Sequence, residues 1–379
     1  MSPAGSLEQV RAVAVVDTGA VERNCARLLR ELDGRAMLCA AVKADAYGHG
    51  MAECAAAALA AGASRLAVAT ASEAAALREA QPDAALLTMG ALSDTELDQA
   101  LGAGADVAVW HPGFLEAVAR RAEALGTRPG VHVKFDTGMG RLGQRDPRVV
   151  TQLLEAAAAD PRLDLVGLWT HFATADEPGS SFFDDQLRRF TDLAQTARAD
   201  HPGLLVHAAN SAATLRNPGA HFDMVRCGIA VYGLDPFQEN PFARDLEPAL
   251  ELRSYVAAVR RFERGASAGY GQVWRAPSER WVGTAPIGYG DGVRRALTNN
   301  GEALVGGRRY PIVGAVSMDN ITIDLGDQTD VEPGDDAVLI GPQGDDRILC
   351  EEVARRLATI NYEVTTGIAP RVPRVYVRT

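Results

Sequence analysis

The chain has 379 residues, 47% of them hydrophobic and 23% charged, with a formal net charge of −11. At roughly 150 residues per domain this length accommodates two domains with their own cores, and the globular composition excludes a disordered, collagen-like or coiled-coil chain. The acidic balance argues against nucleic acid or anionic lipid as partner, and no apolar run reaches the roughly 20 residues that span a bilayer.

The first residues, MSPAGSLEQVRAVAVV, show no basic segment followed by a long apolar one, so the expected compartment is the cytoplasm. The five cysteines, Cys25, Cys39, Cys54, Cys227 and Cys350, are scattered without a C-x-x-C spacing, which indicates neither a disulfide framework nor a zinc knuckle.

From residue 37 to 227, short apolar runs alternate with Ala-rich segments of helical composition. The runs are Met37–Val42, Arg65–Ala69, Ala85–Thr88, Asp106–Trp110, Val131–Phe135, Leu165–Trp169, Leu204–Ala208 and Met224–Cys227. Continuous apolar runs separated by helices imply parallel strands covered on both faces, and eight such units close into a barrel. A doubly wound open sheet would announce a Gly-rich first turn, whereas the first turn here reads KADAYGHG. After about residue 245 the segments become strand-like and are separated by turn sequences such as GYGDG and VEPGDD. The expected architecture is therefore an α/β chain, with a (β/α)8 TIM-type barrel over 10–245 followed by a mostly β domain over 246–379.

Of the 38 Lys and Arg, only Lys43 and Lys134 are lysine. Surface charge can come from either residue, but an amine that condenses with carbonyls can come only from Lys. Lys43 follows the first run directly and Lys134 lies near the end of the fifth. Reactive groups of a parallel barrel sit at the C-terminal strand ends. There Tyr47, Asp136, Arg141, His171, Asn210, Ser211 and Arg226 join the two lysines. The stretch from Asn210 and Ser211, after the seventh run, and the one from Arg226 to Gly228 and Ile229, after the eighth, fall where barrels bind phosphate. Pyridoxal phosphate and a sugar phosphate satisfy such a site equally well.

The stretch AVKADAYGHG resembles the pyridoxal-lysine motif of alanine racemases, and VKFDTGMGRLG, THFATAD, NSAAT, VRCGIAVYG, SAGYGQVW, IGYGDG, GAVSMDN, INYEV and RVPRVY match in the family's order. The resemblance covers nearly the whole chain. It implies a pyridoxal 5′-phosphate enzyme that interconverts L- and D-alanine and supplies D-alanine for peptidoglycan, acting as a homodimer with shared active sites. Lys43 would hold the cofactor and act as one base, with Tyr270 of the partner subunit as the other. Tyr47, Ser211, Gly228, Ile229 and Tyr362 would contact the phosphate, with Asn210 beside them. Arg226 would meet the pyridine nitrogen and His171 the ring. Arg141 and the Met318 backbone would position the substrate carboxylate, Tyr289 would narrow the entrance, and Lys134 would carry a carbamate.

One departure is Ser317 in GAVSMDN, where many relatives have Cys; the neighbouring contact uses the Met318 backbone, so little consequence is expected. Decarboxylase cousins would show a Cys-Asp motif and an acidic partner for the ring nitrogen where this chain has Arg226. A racemase of broader or serine-type specificity is the alternative, and a cofactor-binding protein without turnover is opposed by Tyr270 and the intact β domain. The seven histidines include no H-x-H or H-E-x-x-H pair, so no metal is expected.

Overall fold

The structure, a computed structural model, describes residues 10–379 and divides into two units. One comprises Val21–Phe237 with Asp245–Glu247; the other comprises residues 10–20, Gln238–Arg244 and Pro248–Thr379.

In the first unit the eight apolar runs form eight parallel strands: Met37–Ala41, Arg65–Val68, Leu86–Thr88, Ala105–Val109, Gly130–Lys134, Asp164–Trp169, Leu205–His207 and Met224–Cys227. Each pairs with the next, and the eighth returns to the first with Met224 opposite Met37 and Cys227 opposite Ala40, closing the barrel. Cys39, Ala41, Ala67, Leu87 and Met224 pack as one buried cluster. The helices begin on local signals. Thr70 with Glu73, and Ser93 with Glu96, form reciprocal capping boxes. Pro112 and Pro147 open two more helices behind the caps His111 and Asp146. Each cap contributes about 1 kcal/mol by satisfying an amide that the first helical turn leaves unpaired.

The second unit is built on a ten-stranded sheet. The strand Ala12–Asp17 belongs to it, pairing antiparallel with Leu250–Tyr255 on one side and parallel with Arg374–Val377 on the other. This corrects the assignment of residues from 10 onward to the barrel. The run AVAVVD reads like a buried barrel strand, but both its backbone partners lie beyond the barrel, at Leu250–Tyr255 and Arg374–Val377. On the sheet, Leu304, Val338 and Ile348 form a buried cluster against which Val353 packs. Val353 lies on the helix Cys350–Arg356, which the helix Asn361–Thr366 follows.

Candidate active site at the barrel rim

Lys43 begins the loop after the first barrel strand, and four non-glycine residues follow in the left-handed region: Ala44, Asp45, Ala46 and Tyr47, with φ of 51°, 53°, 53° and 55°. Each such residue costs about 1–2 kcal/mol, so the turn must be held from outside. Ala44 N–H donates to Glu73 Oε1 at 2.6 Å, Ala46 N–H to the Val42 carbonyl at 2.9 Å, and Met51 N–H to Asp45 Oδ1 at 2.8 Å. The other Glu73 oxygen accepts from Ala69 and Thr70 N–H at 2.8 and 3.1 Å, so one carboxylate ties the lysine loop to the next strand and helix. Burial, with Arg141 next, lowers the Lys43 amine below the ordinary lysine range.

The left-handed turn carries Tyr47 onto Tyr232, with ring centroids 5.2 Å apart. Burial raises the Tyr47 phenol well above its usual range, leaving it protonated and able to donate. A Cβ on Gly228 would stand 2.2 Å from the Tyr47 hydroxyl oxygen, so only glycine fits there. Ser211 Oγ accepts from Gly228 N–H at 3.1 Å and Ala230 N–H at 3.3 Å, and Ile229 follows in the same turn. Tyr47, Ser211, Gly228 and Ile229 thus form one cluster. Asn210 is the helix N-cap beside it, its Oδ1 accepting from Ala213 N–H at 3.0 Å.

Arg226 is buried on the eighth strand. Its Nη2 donates to the Thr170 carbonyl at 2.8 Å and the Ala208 carbonyl at 3.2 Å, and lies 3.3 Å from His171 Nδ1. Its Nη1 lies 2.9 Å from His207 Nδ1. Guanidinium only donates, so His207 Nδ1 accepts and its proton sits on Nε2. That nitrogen is 2.9 Å from His132 Nδ1, which must then accept in turn. His132 Nε2–H therefore points at Asp106 Oδ2, 3.3 Å away, and Asp106 closes the line on Arg65. Burial lowers all three histidines here, His132, His171 and His207, with Arg226 opposing protonation of each, so the His132–Asp106 contact is a neutral-donor hydrogen bond rather than an ion pair. Burial also lowers Arg226, to about 10, which leaves it cationic at neutral pH.

Lys134 is buried on the fifth strand with its Nζ 4.2 Å from the centroid of Trp169. Arg226 Cζ lies 4.6 Å from the same ring, and His207 stacks on it at 5.8 Å. Burial, then Arg226 and Arg141, lowers Lys134 to about 7. Arg141 lies exposed in a turn built around Asp136, which accepts from Gly138 and Gly140 N–H at 3.1 and 3.0 Å and from Arg145 Nε at 3.0 Å. Burial pushes the Asp136 carboxyl up, but these donors outweigh it and hold it below the usual range.

The remaining expected site residues belong to the other unit. Tyr270 sits at the tip of a hairpin between Ser267–Ala268 and Trp274–Arg275 and is 73% exposed; Met318 and Tyr289 are 51% and 43% exposed. Tyr362 lies on the helix Asn361–Thr366. Asn299 joins two of these loops, donating to the Val273 carbonyl at 3.1 Å and accepting from Gly314 N–H at 2.7 Å.

Sequence reasoning missed Glu73, Trp169, His132, His207, Asp106 and Arg65. A signal existed for His132: two positions before Lys134 on one strand, it shares that residue's face.

The model of the alanine racemase N-terminal domain matches residues 16–236, and that of the C-terminal domain matches 249–376. The chain is 42% identical over 368 residues to an alanine racemase of Geobacillus kaustophilus, covering 96% of this chain and 94% of the relative. It is 40% identical over 364 residues to one of Symbiobacterium thermophilum, covering 96% of each. The solved alanine racemase of Streptomyces coelicolor superposes with a TM-score of 0.92 at 39% identity, over 97% of this chain and 98% of that one.

Proposed function

The chain belongs to the alanine racemase family, a family of isomerases, and from that membership we propose that it interconverts L- and D-alanine on pyridoxal 5′-phosphate, as a homodimer whose sites each take Tyr270 from the partner subunit. The observation that carries the reading is the Lys43 amine, lowered from the ordinary lysine range, beside a cradle that excludes even a methyl group on Gly228. The residues present fit the cofactor. Tyr47 and Ser211 offer hydroxyls and the Gly228–Ile229 turn, whose Gly228 N–H is held by Ser211 Oγ, offers the Ile229 amide for a phosphate, Arg226 offers a fixed donor for a ring nitrogen, and Lys43 offers the amine. When bound, pyridoxal phosphate supplies an electron-withdrawing ring that acidifies the α-hydrogen of an amino acid.

Racemisation needs a proton removed on one face and returned on the other, so two bases are the simplest solution. Lys43 serves one face, because its lowered pKa raises the share of neutral amine at neutral pH. The partner subunit's Tyr270 serves the other. Its exposure, at a hairpin tip outside the unit that carries Lys43, supports that assignment. Arg141 and the Met318 amide hold the substrate carboxylate, Tyr289 narrows the entrance, and Tyr362 adds a hydroxyl to the phosphate site. Lys134 as a carbamate would supply the anion that orients Arg141. Its amine, lowered to about 7, is substantially neutral where carbon dioxide is available to it. Among the described residues no helix is long and apolar enough to cross a membrane, and the five cysteines are free thiols, which fits the reducing cytoplasm in which this reading places an enzyme supplying D-alanine for peptidoglycan.

The test is direct. Loss of optical activity from L-alanine should depend on added pyridoxal phosphate, borohydride should fix a pyridoxyl group on the peptide holding Lys43, and the gene should rescue a D-alanine auxotroph. A label on Lys134, or no racemisation, overturns the reading.

A further inference from the structure

Behind Tyr289 and Met318 lies an ion cluster that the mechanism does not use. The Asp291 side chain is wholly buried, yet it accepts four hydrogen bonds: from Arg11 Nη1 and Nη2 at 2.7 and 2.9 Å, from Arg371 Nε at 2.8 Å and from Gly288 N–H at 2.9 Å. The same two arginines reach on to the neighbouring loop. Arg371 Nη2 donates to Asp319 Oδ1 at 2.8 Å and to the Met318 carbonyl at 3.3 Å, and Arg11 Nη2 donates to the Asp319 carbonyl at 3.1 Å. Beside them Tyr289 N–H donates to the Ser317 carbonyl at 3.0 Å and Gly290 N–H to the Met318 carbonyl at 2.9 Å. The fit is close: a Cβ on Gly288 would stand 2.3 Å from the Ser317 carbonyl oxygen, and one on Gly290 2.5 Å from Arg371 Nη2.

The Asp291 carboxylate is buried while both arginines are partly exposed, and ion pairs of that kind add little net stability, so what this cluster secures is geometry. The Arg11 fork seated on Asp291 and the Arg371 fork spanning Asp291 and Asp319 fix angles as well as distances. Resting on the reading that the Met318 backbone and Tyr289 face the substrate, we propose that Asp291 is a positioning residue. Through Arg371 and Arg11 it locks the Met318–Asp319 segment against the Tyr289–Gly290 segment, so that the carboxylate and the side-chain size of a small amino acid are read by a preset frame. Asp291 touches no reacting atom. Its effect falls on binding and on discrimination between alanine and the next larger amino acid, serine.

The experiment compares the holoenzyme with Arg371→Lys, Asp319→Asn and Asp291→Asn. Arg371→Lys keeps the charge but loses the fork that spans Asp291 and Asp319, and Asp319→Asn alters a half-exposed group. Amide exchange at Tyr289 and Gly290 should quicken by roughly tenfold, KM for L-alanine should rise roughly tenfold with kcat within about threefold, and the preference for alanine over serine in kcat/KM should fall by roughly fivefold. Arg371→Lys and Asp319→Asn decide the matter if Asp291→Asn does not fold. Unchanged exchange in both overturns the lock, and quickened exchange with unchanged KM and preference overturns its role in recognition. Failure of the wild-type enzyme to racemise alanine would instead sink the functional reading, while the exchange measurement still decides the lock.

Discussion

In the barrel unit, the Arg226 and Lys134 charges of the site are buried and held by neighbouring side chains. Arg226 runs through His207 and His132 to Asp106, and its guanidinium lies over the same Trp169 ring as the Lys134 amine. In the β unit the order is inverted. Tyr270, Tyr289 and Met318 stand exposed, and behind Tyr289 and Met318 the buried Asp291 carboxylate braces the loops through the partly exposed Arg11 and Arg371. Burial changes the affinity of a group for protons, whereas bracing changes only where a group stands. The comparison therefore separates two kinds of defect: damage to the barrel should show in protonation and reaction outcome, and damage to the β unit in binding and assembly of the site.

The largest effect should come from removing one base in each unit. Lys43→Ala and Tyr270→Ala should each lose roughly 10³-fold or more in kcat. If the two units complete each other across a dimer, mixing the two inactive chains places one intact site in each mixed dimer and should restore about a quarter of the wild-type rate. No recovery after verified subunit exchange breaks the shared site.

Next comes Arg226→Glu. A glutamic acid can share a proton with a ring nitrogen to which Arg226 can only donate, and it also takes from His207 the donor that fixes its tautomer. Racemisation should slow by roughly 10²-fold while a larger share of turnovers ends in keto acid, measured as pyruvate with lactate dehydrogenase. A variant that binds cofactor and forms no extra pyruvate would show that Arg226 does not set the outcome.

A smaller effect distinguishes the units by pH. The folded Lys134 amine lies at about 7 against an ordinary 10.5. Between those values the unfolded chain holds a proton there that the folded chain does not, so this residue's contribution to stability rises with pH above about 7 and is least favourable below it. In carbon dioxide-depleted buffer without cofactor, Tm of wild type relative to Lys134→Met should climb from about pH 7 to 9, and bicarbonate should add a carboxylate's mass to wild type alone. A flat difference would place Lys134 outside the lowered range.

The sequence disclosed the barrel because strands buried on both faces read as apolar runs, and its rim because reactive residue types recur at the ends of those runs. Three features stayed hidden. Ala12–Asp17 has the composition of a barrel strand, and only pairing across most of the chain length assigns it to the β sheet. The left-handed turn after Lys43 is invisible in Ala-Asp-Ala-Tyr, none of which is glycine; what holds it is Glu73, 29 positions away from Ala44. His132, His207 and Asp106 looked like polar interruptions of apolar runs, because a line of tautomers exists only once the closed barrel brings the side chains of its fourth, fifth and seventh strands together.

Asn210 offers the finest division, since it stands between the two kinds of role. By sequence it is a candidate cofactor ligand; in the structure its side-chain oxygen is committed to Ala213 N–H as a helix cap, one residue before Ser211, whose hydroxyl binds the Gly228 turn. A cap acts on stability and leaves the neighbouring donors in place, so Asn210→Ala should lower stability by about 1 kcal/mol. Asn210→Ser, which can still cap, should recover most of that loss. Affinity for pyridoxal phosphate, read by absorbance titration, should stay within about twofold in both, because one weakened cap removes no phosphate donor. A tenfold loss of affinity in Asn210→Ser at wild-type stability would reverse the assignment, making the Asn210 amide a direct contact of the cofactor.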